Sequence, residues 1–124
     1  MNNFEELEAW KSAREVRKAI SKLAKTFPRE GRSRLADQII RSARSVTANI
    51  AEGFGRYHYQ ENVQYCRQAR GSLTETLDHL ICAHDEGFID DETFRSHRSM
   101  IGHAWKILNG YIAYLKKAAE ANKK

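Results

Sequence analysis

His79, Cys82 and His84 lie close together in the sequence, and all three side chains are competent metal ligands. A structural zinc site needs four ligands, usually in two clusters. Helical spacing sets His79 and Cys82 on one face and His84 well round from them. No second ligand cluster follows, so no metal is expected. The two cysteines, Cys66 and Cys82, stand isolated. A nucleophilic thiol needs a lowered pKa and a positioned base, and nothing in the spacing supplies either. Both read as small packing residues, and a disulfide framework is not expected. Gly53-Phe54-Gly55 lacks the strand that precedes a phosphate-cradling loop. The carboxylates do not cluster as metal-dependent phosphodiester cleavage requires. No catalytic residue and no cofactor is expected, and the chain reads as a non-enzyme.

Binding chemistry is better represented. Lys11, Arg14, Lys18, Lys22 and Lys25 step by three and four and share one helix face. Phosphates require Lys or Arg but no special geometry. Glu8 and Glu15 interleave with the stripe, so an ordinary solvated face is the plainer reading for a single copy. Repetition of the stripe around an oligomer would shift that balance, because salt-sensitive affinity grows with each phosphate neutralised. Arg41, Arg44 and Arg56, with Tyr57 and Tyr59, offer guanidinium forks and aromatic faces suited to single-stranded RNA. Arg41 could equally pair with an acid on a facing helix. Arg70 falls inside an apolar stripe and should therefore be paired; Glu52 is its predicted partner.

These side chains need long helices to hold them. The 124 residues suit one domain, read as residues 1–119 with 120–124 as a frayed basic tail. An apolar fraction of 41% against 30% charged residues fits an ordered chain. One proline, Pro28, and seven glycines leave long uninterrupted runs. The first helix is expected from about Phe4 to Thr26, with Asn3 and Glu6 as a variant capping box and Ala9, Ala13, Val16, Ile20, Leu23 and Phe27 turned inward. Pro28 ends it, and a loop runs to Ser33. The second helix is expected from about Arg34 to Glu52, rich in small residues and stopped by Gly53 and Gly55 at a left-handed C-terminus. The third spans about Gln60 to Glu86. It carries Val63, Cys66, Leu73, Leu77, Leu80, Ile81 and His84 on one side. Gly71 within it implies a close neighbour to its backbone. The fourth starts at Asp90, a capping residue followed by Asp91 and Glu92, and runs to about Ala119 with Phe94, Ile101, Trp105, Leu108, Ile112 and Leu115 inward.

The result is an all-α, antiparallel up-down-up-down four-helix bundle. Leu7 and Trp10 lie off the main stripe and need cover from a neighbouring helix or another subunit. Met100, Ile107, Tyr111 and Tyr114 make a second apolar side on the fourth helix, the best candidate for a subunit interface. No apolar run approaches a membrane span, and the N-terminus does not read as a signal peptide, so a cytoplasmic protein without membrane contact is expected. The net charge of +5 points to nucleic acid, an anionic surface or an acidic protein as partner.

The stretch from Gln38 to Arg56, with Asn49-Ile50-Ala51-Glu52-Gly53 within it, resembles the signature of the four-helix-bundle proteins encoded in intervening sequences of bacterial 23S ribosomal RNA genes. Ala69-Arg70-Gly71-Ser72-Leu73 with Glu75 resembles a second block of that family, and Phe4 to Trp10 and Phe27-Pro28 also fit. Two positions depart: Arg44 stands where an apolar residue is common, and Thr47 where proline is common. The resemblance gives Asn49, Glu52, Gly53, Arg70, Gly71 and Glu75 structural roles. The family is similar to the accessory protein of diversity-generating retroelements, a pentameric barrel of four-helix bundles that binds a reverse transcriptase and nucleic acid. It therefore implies a homopentameric barrel with a basic surface facing nucleic acid; RNA is the expected ligand, with DNA left open. The alternative is a protein-interaction or assembly scaffold that binds an acidic partner or a reverse transcriptase.

Overall fold

The computed structural model describes residues 3–29 and 32–122. Four helices, α1 (Glu8–Ala24), α2 (Arg32–Gly55), α3 (Tyr59–Asp85) and α4 (Asp91–Asn122), carry almost all of it. Packing runs from α1 to α2, α2 to α3, α3 to α4 and α4 back to α1. The helices thus close a ring around one core, as short connections between sequential helices require.

Each helix buries the stripe that its spacing sets. Ala9, Ala13, Val16, Ile20 and Leu23 of α1 face Ile39, Ala43, Val46 and Ile50 of α2 across a core completed by Leu73 and Leu80 of α3 and Leu108, Ile112 and Leu115 of α4. Three expected members lie outside it: Trp105, Ile81 and His84. Trp105 and Ile81 are each 38% exposed. Ala104 points inward in place of Trp105, and Leu80 without Ile81, since a one-residue step turns a helix by about 100°.

The chain starts differently from expectation. Phe4–Glu6 form a single 3-10 turn, and the backbone is extended at Leu7 before α1 begins. Asn3 does not cap; its amide donates to Glu5 Oε1 at 2.8 Å. The break swings Leu7 into the core. Phe4 then meets Trp10 edge-on, with ring centroids 5.1 Å apart. Leu7 is thus buried within its own chain, and Trp10 is half-buried against Phe4.

The glycine stop is also corrected. α2 runs through Gly55, and the left-handed residue is Tyr57 at φ 61°. Gly53 is required for space. A Cβ there would sit 2.6 Å from Asn62 Oδ1 and 2.9 Å from Tyr65 Cβ, so α2 and α3 touch closely at this point. Further along the same pair, the Ser42 and Thr76 hydroxyls are 2.8 Å apart in the core and Ser72 Oγ donates to Ser45 Oγ at 2.9 Å. The small residues of α2 permit this approach.

The α3–α4 connection follows the sequence. Phe88 N–H reaches Ala83 O and Gly87 N–H reaches His84 O, with Gly87 at φ 76°, a Schellman closure. Thr93 N–H donates to Asp90 Oδ1 at 2.8 Å and caps α4. The helix continues past Ala119 through Asn122; Lys123 and Lys124 of the expected tail, and Gly31 of the expected loop, lie outside the described residues.

Candidate nucleic-acid interface

The inward stripe of α1 leaves Lys11, Arg14, Lys18, Lys22 and Lys25 outward and exposed. Lys11 sits 3.6 Å from Glu8, and Lys18 3.6 Å from Glu15. Exposed pairs of this kind contribute little and release their cations readily. Arg14 lies 5.6 Å above the Trp10 ring, a cation–π contact. Lys22 and Lys25 have no acidic partner within 4 Å among the described residues.

Arg17 does not stand out as a site residue in the stripe pattern. Its Nη1 donates to Thr47 Oγ1 at 3.0 Å, and Thr47 in turn donates to Arg44 O. Thr47, one of the two departures from the family pattern, thereby links α1 to α2, and Arg44, the other departure, lies one turn before it on α2. Arg17, Lys18, Lys22 and Lys25 of α1 and Arg44 of α2 line one shallow concavity of about 580 Å³, whose acidic member is Glu15. Five cations against one carboxylate leave the concave surface predominantly positive, which is what a polyanion requires.

Arg41 is exposed on α2 but does not line the concavity, and Arg56 lies at the far end of α2. Arg56 is committed to the turn. Its Nε is 2.9 Å from Glu52 Oε2, its Nη2 donates to Tyr65 OH at 2.7 Å, and its guanidinium stands 5.0 Å over the Tyr65 ring. Glu61 is 3.8 Å away. Tyr65 first, then Glu52 and Glu61, raise the Arg56 pKa against an opposing desolvation.

Of the motif residues, Gly53 and Arg70 meet a neighbouring helix. Asn49 donates to Ser45 O and Oγ on its own helix. Arg70 does not meet Glu52; its Nη1 donates to Asn109 Oδ1 at 2.9 Å, because its position on α3 faces α4 rather than α2. A Cβ at Gly71 would meet nothing within 4 Å, so the close neighbour expected there is not supplied by the described residues. Glu75 pairs with His79 at 3.1 Å. Sequence reasoning missed Asn62. It sits against Gly53, accepts from Cys66 Sγ at 3.4 Å and donates to Tyr111 OH at 3.1 Å. A buried asparagine in an otherwise apolar stripe was the signal that could have found it.

Met100 and Ile107 pack half-buried along α1, and Tyr111 is likewise half-buried, whereas Tyr114 is 60% exposed. Burial pushes the Cys66 thiol up to about 12, which leaves it inert, while Cys82 is exposed. His84 is engaged by Asp91 at 2.6 Å and stacks on Phe94. Among the described residues no group of three or more His, Cys, Asp or Glu is placed to hold a metal ion, and no helix is long and apolar enough to cross a membrane.

A crystal structure from Bacteroides thetaiotaomicron, that of a protein with unknown function from the S23 ribosomal protein family, has a similar fold. Its TM-score is 0.77 over 84% of this chain and 97% of that one, at 23% identity. A search of curated proteins finds no match. The profile of the family described as 23S rRNA-intervening sequence protein matches residues 5–110, and a match over that much of the chain means that the chain belongs to the 23S rRNA-intervening sequence protein family.

Proposed function

We propose that this protein is a non-enzymatic, RNA-binding helical bundle that works as a homo-oligomer, a pentamer by the resemblance noted above. The observation that carries the reading is the concavity in which Arg17, Lys18, Lys22 and Lys25 meet Arg44, with Glu15 as its acid. Such a surface takes the phosphate backbone and is indifferent to base sequence. Closed assembly would repeat it around an axis and multiply the phosphates engaged.

The test is light scattering on a sizing column with and without nuclease, followed by titration of labelled single-stranded RNA at several salt concentrations. The expected result is a particle of about five chains and a steep linear fall of log affinity with log salt. The triple variant Lys22→Glu, Lys25→Glu, Arg44→Glu should abolish binding and keep the helical content. A monomer that binds no RNA at low salt would sink the reading. A second reading, a scaffold for an acidic protein or a reverse transcriptase, is favoured by the exposure of Trp105 and Ile81. It would gain from a clean oligomer free of nucleic acid.

A further inference from the structure

Tyr57 is the only non-glycine residue with positive φ among the described residues, at 61°. Left-handed backbone is costly for a residue with a Cβ, and such positions persist only when the surroundings enforce them. Packing of the Tyr57 ring does not supply the reason, because the residue is 87% exposed, the most exposed of the large hydrophobic residues. The turn around it is fixed. Arg56 and Tyr57 N–H groups reach Gly53 O and Phe54 O, and the Arg56 guanidinium is tied to Glu52 and to Tyr65 of α3. A rigid turn therefore holds one bare aromatic ring out into solvent.

Further aromatic surface lies at the same end of the bundle. Tyr59, 40% exposed, opens α3 and borders a hollow of about 220 Å³ with Ala119 and Asn122 of α4. Tyr114 stacks on Tyr111, with centroids 6.3 Å apart, and Lys116 and Lys117 follow it in the exposed last turns of α4. Tyrosine faces beside lysines suit a ligand that has both flat rings and negative charge. An unpaired nucleotide is that ligand: its base stacks on an aromatic side chain regardless of sequence, and its phosphate takes the cation. A base-paired strand cannot offer a free face.

We infer that the α2–α3 turn is a stacking site for an unpaired nucleobase, with Tyr57 as its platform and Tyr59 two residues along the same turn. The inference rests on the RNA-binding reading and narrows its ligand to RNA with a single-stranded segment. The left-handed residue closes α2, and a ring held on a fixed turn loses little freedom on binding.

The experiment is fluorescence anisotropy of the full chain with a labelled oligouridine of about twelve nucleotides, and with a duplex of equal length. Wild type, Tyr57→Leu and Tyr57→Phe are compared, with sizing chromatography of each. The expected result is a loss of about tenfold in single-strand affinity for Tyr57→Leu, recovered in Tyr57→Phe, with duplex binding and salt slope unchanged. Equal affinity of Tyr57→Leu and wild type for the oligouridine overturns the stacking site and leaves the basic-surface reading intact. Equal losses on single strand and duplex also overturn it. A change of oligomeric state in Tyr57→Leu would assign the ring to a subunit contact instead. Absence of RNA binding by wild type itself would remove the broader reading and this one together.

Discussion

Gly53 of α2 stands so close to Asn62 of α3 that a Cβ on the glycine would lie 2.6 Å from Asn62 Oδ1. The same substitution would press on Tyr65 Cβ at 2.9 Å, which cannot rotate away. Asn62 is itself held by Tyr111 and Cys66, so a push on it is felt in α4 and within α3. Gly53→Ala should lower stability by about 1 to 3 kcal/mol, the usual cost of overpacking, measured by urea unfolding. Unchanged stability would mean that the two helices do not touch at this point.

Gly71 is the control. It is exposed in α3, and a Cβ would meet nothing within 4 Å. Gly71→Ala should therefore stabilise the chain by about 0.5 to 1 kcal/mol through helix propensity and a less free unfolded state. If it instead weakens assembly on a sizing column, another subunit approaches this backbone. Opposite signs at two glycines of one family pattern separate space from conformation as the reason for each.

The contrast between these glycines shows what the sequence could and could not disclose. Apolar spacing places the stripes of all four helices, because burial follows the 3.6-residue period directly. Asp90 and Gly87 announce the α3–α4 turn for the same local reason. The extended break at Leu7 was not legible, since Asn3 and Glu6 have the right types for a cap and only the pull of Leu7 into the core decides against it. The Arg70 partner was not legible either: composition requires a partner, but whether α3 turns that residue toward α2 or α4 is a property of packing. Of the basic site, the α1 stripe was visible as a periodic charge run. That Arg17 would reach Thr47 and set α2, with Arg44, against the stripe depends on a contact between residues thirty positions apart.

Asp90 gives a prediction in pH. Thr93, through its side chain first and its backbone second, holds the Asp90 carboxyl below its ordinary value of 3.8. A depressed folded-state pKa contributes stability that is present above the ordinary value and is lost as pH falls through the lower one. Asp90→Asn keeps an acceptor for Thr93 but not the charge. Wild type should be the more stable protein at neutral pH, by thermal melting, and the two should converge as pH falls through the carboxylate range. A difference that persists in acid would show that the charge is not what the cap uses.

The two thiols should behave differently. Cys66 is buried and pushed up to about 12, whereas Cys82 is exposed. Only thiolate reacts with disulfide reagents. At about pH 8 one cysteine per folded chain should be labelled, and both after unfolding in denaturant. Cys82→Ser should abolish the fast reaction. Prompt labelling of Cys66 in that variant would show that α3 opens locally around Asn62.

Glu15 offers a gain-of-function test of the basic concavity. It lines that surface 3.6 Å from Lys18, so its charge opposes a phosphate there. Glu15→Gln keeps the size of the side chain and removes the one carboxylate of that surface. If RNA phosphates lie there, affinity should rise and the salt slope should steepen by about 0.7, the increment for one more phosphate neutralised on a single strand. Lys22→Ala and Lys25→Ala, which remove cations without acidic partners, should each flatten it by about the same amount. An ordinary solvated face would leave the slope unchanged in all three variants, because its charges neutralise no phosphate.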